Sequence, residues 1–223
     1  MLRGLGITIA GITFVILMIK IGTDADNKER YIKLTKHLII ATVLISGISK
    51  FMKYKLQKTE NKLLDIAQNV ISTNENIEEQ TEVIVKEELE LNDNVIGILE
   101  IPKLNLTAPV KEGTTQETLK YSIGHFSNSS NWNGNIALAS HNRGNYVAHY
   151  FENIHELVVG DEIIYKTKFG ERRYVVEVAK QIKSTDWSVI SNTKENRITL
   201  ITCIKNNPKL RLCVQGIEIL KDA

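Results

Sequence analysis

Ile198-Thr199-Leu200-Ile201-Thr202-Cys203 is the stretch on which the reading of this chain turns. Four of its residues are β-branched, none is Gly or Pro, and it ends on a thiol, so it predicts a buried strand with sulfur at its tip. Arg211 follows eight residues later, beyond a short turn, which returns a cation towards that sulfur. Upstream, the apolar run 135–140 ends in Ser140-His141-Asn142, which puts an imidazole in a comparable strand-end position. These are the groups that acyl transfer through sulfur requires. A thiolate attacks a carbonyl, an imidazole protonates the departing amine, and a guanidinium or backbone N–H groups hold the oxyanion.

Working outward from that strand, the texture of the C-terminal part is β throughout. Runs at 95–101, 104–110, 135–140, 162–167, 172–182, 197–203 and 210–220 are rich in Val, Ile, Thr and Tyr and separated by turn residues. A short helix capped by Thr114 or Thr115 is expected to reach Tyr121, and a second is expected over 148–157. The segment 127–134, rich in Ser, Asn and Gly, is read as a loop. Many short strands in succession predict a closed or nearly closed β-barrel.

The pattern Thr199-Leu200-x-Thr202-Cys203 followed by Arg211, with His141 before it, resembles the signature of sortases, the cysteine transpeptidases of Gram-positive cell surfaces. The resemblance covers roughly 92–220. It implies an eight-stranded barrel with His141, Cys203 and Arg211 as catalytic residues, and Ser140 and Thr202 as supporting residues. The implied reaction cleaves an LPXTG-like sorting signal through a thioacyl intermediate on Cys203. The acyl group then passes to an amine, either that of a lipid-linked peptidoglycan precursor or a pilin lysine. Chain order separates this pattern from papain-like enzymes, in which Cys precedes His. Lys205 occupies the place where cysteine L,D-transpeptidases carry Arg. No Asp-Pro-aromatic lid motif precedes the barrel, which counts against a pilin-polymerising class C enzyme, and the resemblance leans to a housekeeping or class D-like anchoring enzyme.

Each residue has a plainer reading. Cys203 and Cys213 flank one turn and are able to pair, which would silence the nucleophile. Among rival histidines, His125 approaches the site from a loop, whereas His149 and His155 fall on the expected second helix; Lys209 and Arg143 are the rival cations. With ordinary values near 8.5 for a thiol and 6.5 for an imidazole, independent groups at pH 7 give the thiolate–imidazolium pairing in about 1% of molecules. A silent, membrane-tethered barrel that binds peptides or cell-wall material is the reading from a different class. A cysteine hydrolase is a third.

Composition narrows the classes further. The 223 residues carry a formal net charge of +2, which gives no pointer to nucleic acid. Two cysteines are too few for a disulfide framework. No zinc ligand set is visible, and Asp186 and Glu195 alone do not make a calcium site, so neither metal nor cofactor is expected.

The N-terminal part is of another kind. Residues 4–19 are apolar apart from two threonines, flanked by Arg3 and Lys20, and a second apolar run covers 38–48. Residues 1–52 are therefore read as a membrane anchor of one or two spans. Lys28, Arg30, Lys33 and Lys36 between the runs make that loop cytoplasmic and put the barrel outside, although Lys50, Lys53, Lys55 and Lys58 pull the other way. Residues 53–91, polar with apolar positions near helical spacing, are expected to form a helical stalk, leaving 92–223 as the catalytic domain.

Overall fold

The computed structural model describes residues 2–72 and 94–219. The chain divides into two compact units, Met1–Tyr54 and Lys55–Ala223. In the first, helix α1 (Leu2–Thr23) is joined by a tight turn to helix α2 (Lys28–Ser72). Asp24 caps that turn, accepting from the Asn27 N–H at 3.2 Å and from the Tyr31 hydroxyl at 3.3 Å. Ile40, Val43, Leu44, Ile45 and Ile48 of α2 are all exposed. Among the described residues α2 is the one helix long and apolar enough to cross a membrane. Ile12–Thr23 of α1 forms a shorter apolar helix.

The second unit opens with the last turns of α2, where Leu63 and Ala67 are buried against Val95 and Ile98. The first part of the expected stalk is thus helical and packed on the barrel, which a free-standing stalk would not be. Residues 73–91 of that expectation lie outside the described residues.

Eight strands close into a barrel in the order β1-β2-β3-β4-β7-β8-β6-β5. They are β1 (Val95–Ile101), β2 (Leu106–Glu112), β3 (Ile123–His125), β4 (Asn135–Ala139), β5 (Glu162–Thr167), β6 (Gly170–Lys183), β7 (Arg197–Ile204) and β8 (Asn207–Glu218). The pairs β2–β3 and β4–β7 are parallel and the other six antiparallel. Parallel neighbours need a crossover, and helix α3 (Gln116–Tyr121) provides the first one. Its N-cap is Thr115, whose hydroxyl accepts from the Thr118 N–H at 3.2 Å.

Alternation along the strands separates two cores. Ile136, Leu138, Ile198, Leu200 and Val214 point into the barrel with Phe151, Tyr165 and Tyr174. Their neighbours Ala137, Ile201 and Cys213 face outward, where Ile182, Val189 and Ile190 cover them. The cover is the end of β6 together with the β6–β7 connection, and a polar network fixes that connection in place. Asn135 Nδ2 donates to the carbonyls of Val189 and Ser191, both at 2.9 Å. Its Oδ1 accepts from the Thr199 hydroxyl at 2.7 Å. Gly134 adopts φ +89, and a Cβ there would run into the Asn192 side chain, so only glycine suits this approach.

Two expectations need correction. The helix over 148–157 is replaced by irregular chain with one 3-10 turn, Ile154–Glu156. Ala148, Phe151, Ile154 and Leu157 are buried at a spacing of three rather than 3.6. In addition, the Ala148 and Phe151 N–H groups donate to the distant carbonyls of Lys120 and His141. The second correction concerns His125, read as lying on a loop. It closes β3, a strand too short for alternation to reveal.

Candidate active site

Cys203 lies near the end of β7 and pairs across the ladder with Arg211 of β8. Directly opposed residues on antiparallel strands project from the same side of a sheet. Cys203 shares its side with Ile201, so thiol and guanidinium both rise from the outer face of the barrel. A two-residue turn, Lys205-Asn206, joins the strands, with Asn206 in the left-handed region at φ 61, which asparagine tolerates. The register then slips, from Cys203↔Arg211 to Ile204↔Asn207, leaving residues 208–210 as extra chain in β8. Arg211 Nη1 donates to the carbonyls of Pro208 at 2.9 Å and Leu210 at 2.8 Å, which folds its head onto that bulge.

His141 follows β4 by two residues, and the pairing of β4 with β7 carries it to the same end of the barrel. Ala139 pairs with Ile201, the Ser140 N–H donates to the Ile201 carbonyl, and the Thr202 hydroxyl donates to the Ser140 carbonyl at 2.8 Å. The Asn142 side-chain amide donates to the Cys203 carbonyl. Residues 140–142 are thereby stitched to 201–203. Ser140 acts through its main chain and Thr202 through its hydroxyl, and the buried Ser140 hydroxyl has no partner among the described residues.

Electrostatics favour a neutral imidazole. Partial burial pushes the His141 pKa below its ordinary value, and His149 pushes it in the same direction. The two cysteines are both free: Cys203 is exposed and Cys213 buried. Burial pushes the Cys213 thiol up to about 11, which makes it an inert core group. The disulfide alternative is not formed.

Of the rival histidines, His149 lies near enough to His141 to influence its charge, and none is tied to the Cys203 segment by a hydrogen bond among the described residues. His125 is buried, with Nδ1 at 2.8 Å from Glu112 Oε2 and Nε2 at 2.9 Å from the Ser130 carbonyl, both of its nitrogens occupied in holding β3 to its neighbours. His149 and His155 are exposed and contact nearby carbonyls of their own segment. Arg143 and Lys209 are also exposed. Among the described residues no group of three His, Cys, Asp or Glu side chains is arranged to hold a metal ion. Asp186 instead accepts from the Ser188 N–H and hydroxyl.

Two features escaped the sequence reading. One is the Asn142 contact, which had no signal beyond its place after His141. The other is an aromatic pair on the same outer face, the exposed Trp187 set edge-on to Phe126 at 6.3 Å.

Comparison with known proteins bears on the family and the fold. The family described as the sortase domain matches residues 99–218. The chain is 33% identical over 131 residues to sortase D of Bacillus subtilis, covering 55% of this chain and 63% of that protein. It is also 33% identical over 125 residues to sortase A of Bacillus anthracis, covering 55% and 59%. The match therefore spans less than two thirds of these relatives' own length. Among solved structures, the Clostridium perfringens sortase D5 transpeptidase superposes with a TM-score of 0.57 at 28% identity, over 73% of this chain and 99% of that one. Listeria monocytogenes sortase A gives 0.51 at 31%, over 57% and 89%. The matched family domain runs from Leu99, within β1, through every later strand of the barrel to Glu218, and the chain belongs to the sortase family.

Proposed function

We propose that the protein is a membrane-anchored cysteine transpeptidase acting on an LPXTG-like sorting signal, with Cys203, His141 and Arg211 as its catalytic residues. The observation that carries this reading is the Cys203↔Arg211 rung with the His141 segment tied beside it. Cys203 attacks the carbonyl of the scissile amide, so that an S–C bond forms, the C–N bond breaks, and His141 gives its proton to the leaving amine. An acceptor amine then attacks the thioester. The new C–N bond forms, the S–C bond breaks, and the amine's proton returns to His141. Arg211 would swing from its own carbonyls to the oxyanion, exchanging neutral acceptors for a charged one.

The lowered His141 pKa bears on which protonation state reacts. At neutral pH it makes the imidazolium rarer than an ordinary imidazole would supply. Substrates in this reading are surface proteins or pilins bearing sorting signals, and the acceptor is an amine such as that of a lipid-linked peptidoglycan precursor. Residues 1–52 form the anchor, 53–91 lead from it, and 92–223 work on the outer side of the cell membrane. The class D-like assignment is supported by the sortase D and D5 likenesses.

The test is incubation with a quenched LPXTG-type peptide, with and without added amines, followed by intact-mass measurement. An acyl adduct on Cys203 that disappears on amine addition, with transfer product formed, is the expected result. Acid product with no benefit from amine would make the protein a hydrolase. No adduct at all would make it a silent peptide-binding barrel.

A further inference from the structure

We propose that Asn142 is a positioning residue for this reaction, holding the imidazole of His141 at working distance from Cys203 by standing in for a rung of the sheet. The inference rests on the function proposed above and assigns a residue that the sortase signature in this chain does not contain.

The argument starts from how parallel strands pair. Their hydrogen bonds are evenly spaced, and bonds of one direction recur every second residue along each strand. The last such main-chain bond between the β4 segment and β7 runs from the Ser140 N–H to the Ile201 carbonyl. Two residues further along each strand, the next would run from the Asn142 N–H to the Cys203 carbonyl. The Asn142 side chain makes that bond instead. The main chain is thereby released from strand geometry after Ala139 and leaves the sheet as the irregular segment that follows, while Cys203 keeps its partner.

His141 is caught between these ties. Its own carbonyl accepts from the Phe151 N–H at 3.2 Å, Ser140 before it is bound twice to β7, and Asn142 after it is bound to Cys203 itself. Loss of the Asn142 bond frees one side of the histidine and the carbonyl of the nucleophile together. A displacement of about 1 Å at a reacting pair is enough to cost up to a hundredfold in rate.

Three variants separate the role from mere folding. Asn142→Ala deletes the amide, Asn142→Asp keeps the shape and loses the donor, and Asn142→Gln keeps a donor on a longer arm. Peptide turnover is measured per Cys203 titrated with a thiol reagent, which removes any misfolded fraction, and iodoacetamide alkylation of Cys203 is timed without peptide. Asn142→Ala and Asn142→Asp are expected to lose about tenfold in kcat with KM for the peptide unchanged. Their Cys203 should alkylate several-fold more slowly, and Asn142→Gln should recover most of both losses. Wild-type kcat and alkylation in the Ala and Asp variants, or a Gln variant no better than Asp, would overturn the proposal. If the wild-type protein turns over no peptide, the transpeptidase reading fails by itself, and the alkylation rates alone decide the role of Asn142.

Discussion

Cys203 and Arg211 occupy opposite ends of a single rung of the β7–β8 ladder, so the sulfur and the guanidinium leave the barrel side by side. Their separation is set by sheet geometry and not by a flexible loop. The bulge at 208–210 adds a resting place for the guanidinium, which touches the carbonyls of Pro208 and Leu210. The site thus has a cation in reserve beside the thiol.

Replacing Arg211 tests that relationship. Arg211→Ala is expected to lower kcat/KM for a sorting peptide by about a hundredfold or more, the cost of removing one oxyanion donor. Arg211→Lys keeps the charge but not the planar fork and should recover only part of the loss. Steady-state kinetics checks both, and an Ala variant within threefold of wild type would remove Arg211 from the mechanism.

The two thiols should differ sharply in reactivity. In the native protein iodoacetamide is expected to modify Cys203 alone, because Cys213 is buried and its pKa is raised. In denaturant both should react. Peptide mapping by mass spectrometry gives the answer, and native labelling of Cys213 at a similar rate would contradict the core assignment. Cys203→Ala should abolish acyl-enzyme formation, whereas Cys213→Ala should retain it.

Acid should weaken the fold through His141. Its folded pKa lies below the unfolded value near 6.5, so the unfolded chain binds the extra proton first. The contribution of the neutral imidazole is fully present above the unfolded pKa and is lost as pH falls through the folded one. Melting curves at pH 7.5 and 5 should therefore show a larger fall in Tm for wild type than for His141→Gln. Equal falls would mean that the imidazole titrates as it does in water.

Asn135 should matter to stability out of proportion to its size. Asn135→Ala strips the buried carbonyl of Val189, that of Ser191 and the Thr199 hydroxyl of one partner each. A loss of about 3 kcal/mol is expected, from the desolvation cost of buried groups left unpaired. Denaturant unfolding measures it, and a loss below about 1 kcal/mol would show that water replaces the amide freely.

Much of the barrel was legible in the sequence because its long strands alternate or are continuously apolar. Residues 162–167 were read with the observed ends, and of the two threonines offered as the cap of α3, Thr114 and Thr115, the structure uses Thr115. β3 was missed because Ile123, Gly124 and His125 are all buried, which leaves no two-residue rhythm to detect. The segment 148–157 misled for the opposite reason. Its apolar spacing imitates a helix, while its N–H groups find partners far away in sequence. At the site, residue types and order pointed to Cys203, His141 and Arg211. The register slip at 208–210 that sets Cys203 opposite Arg211 leaves no mark in the local pattern. The Asn142 contact and the place of His141 depend on pairing between segments about sixty residues apart, which local pattern does not carry either.

The parallel seam between β4 and β7 has a consequence for when the site is assembled. A nascent chain holding His141 still lacks Cys203, and one holding Cys203 has yet to make the strand that supplies Arg211. On the proposed function, the three groups first meet when β8 pairs with β7, and no shorter nascent stretch of this barrel holds them all.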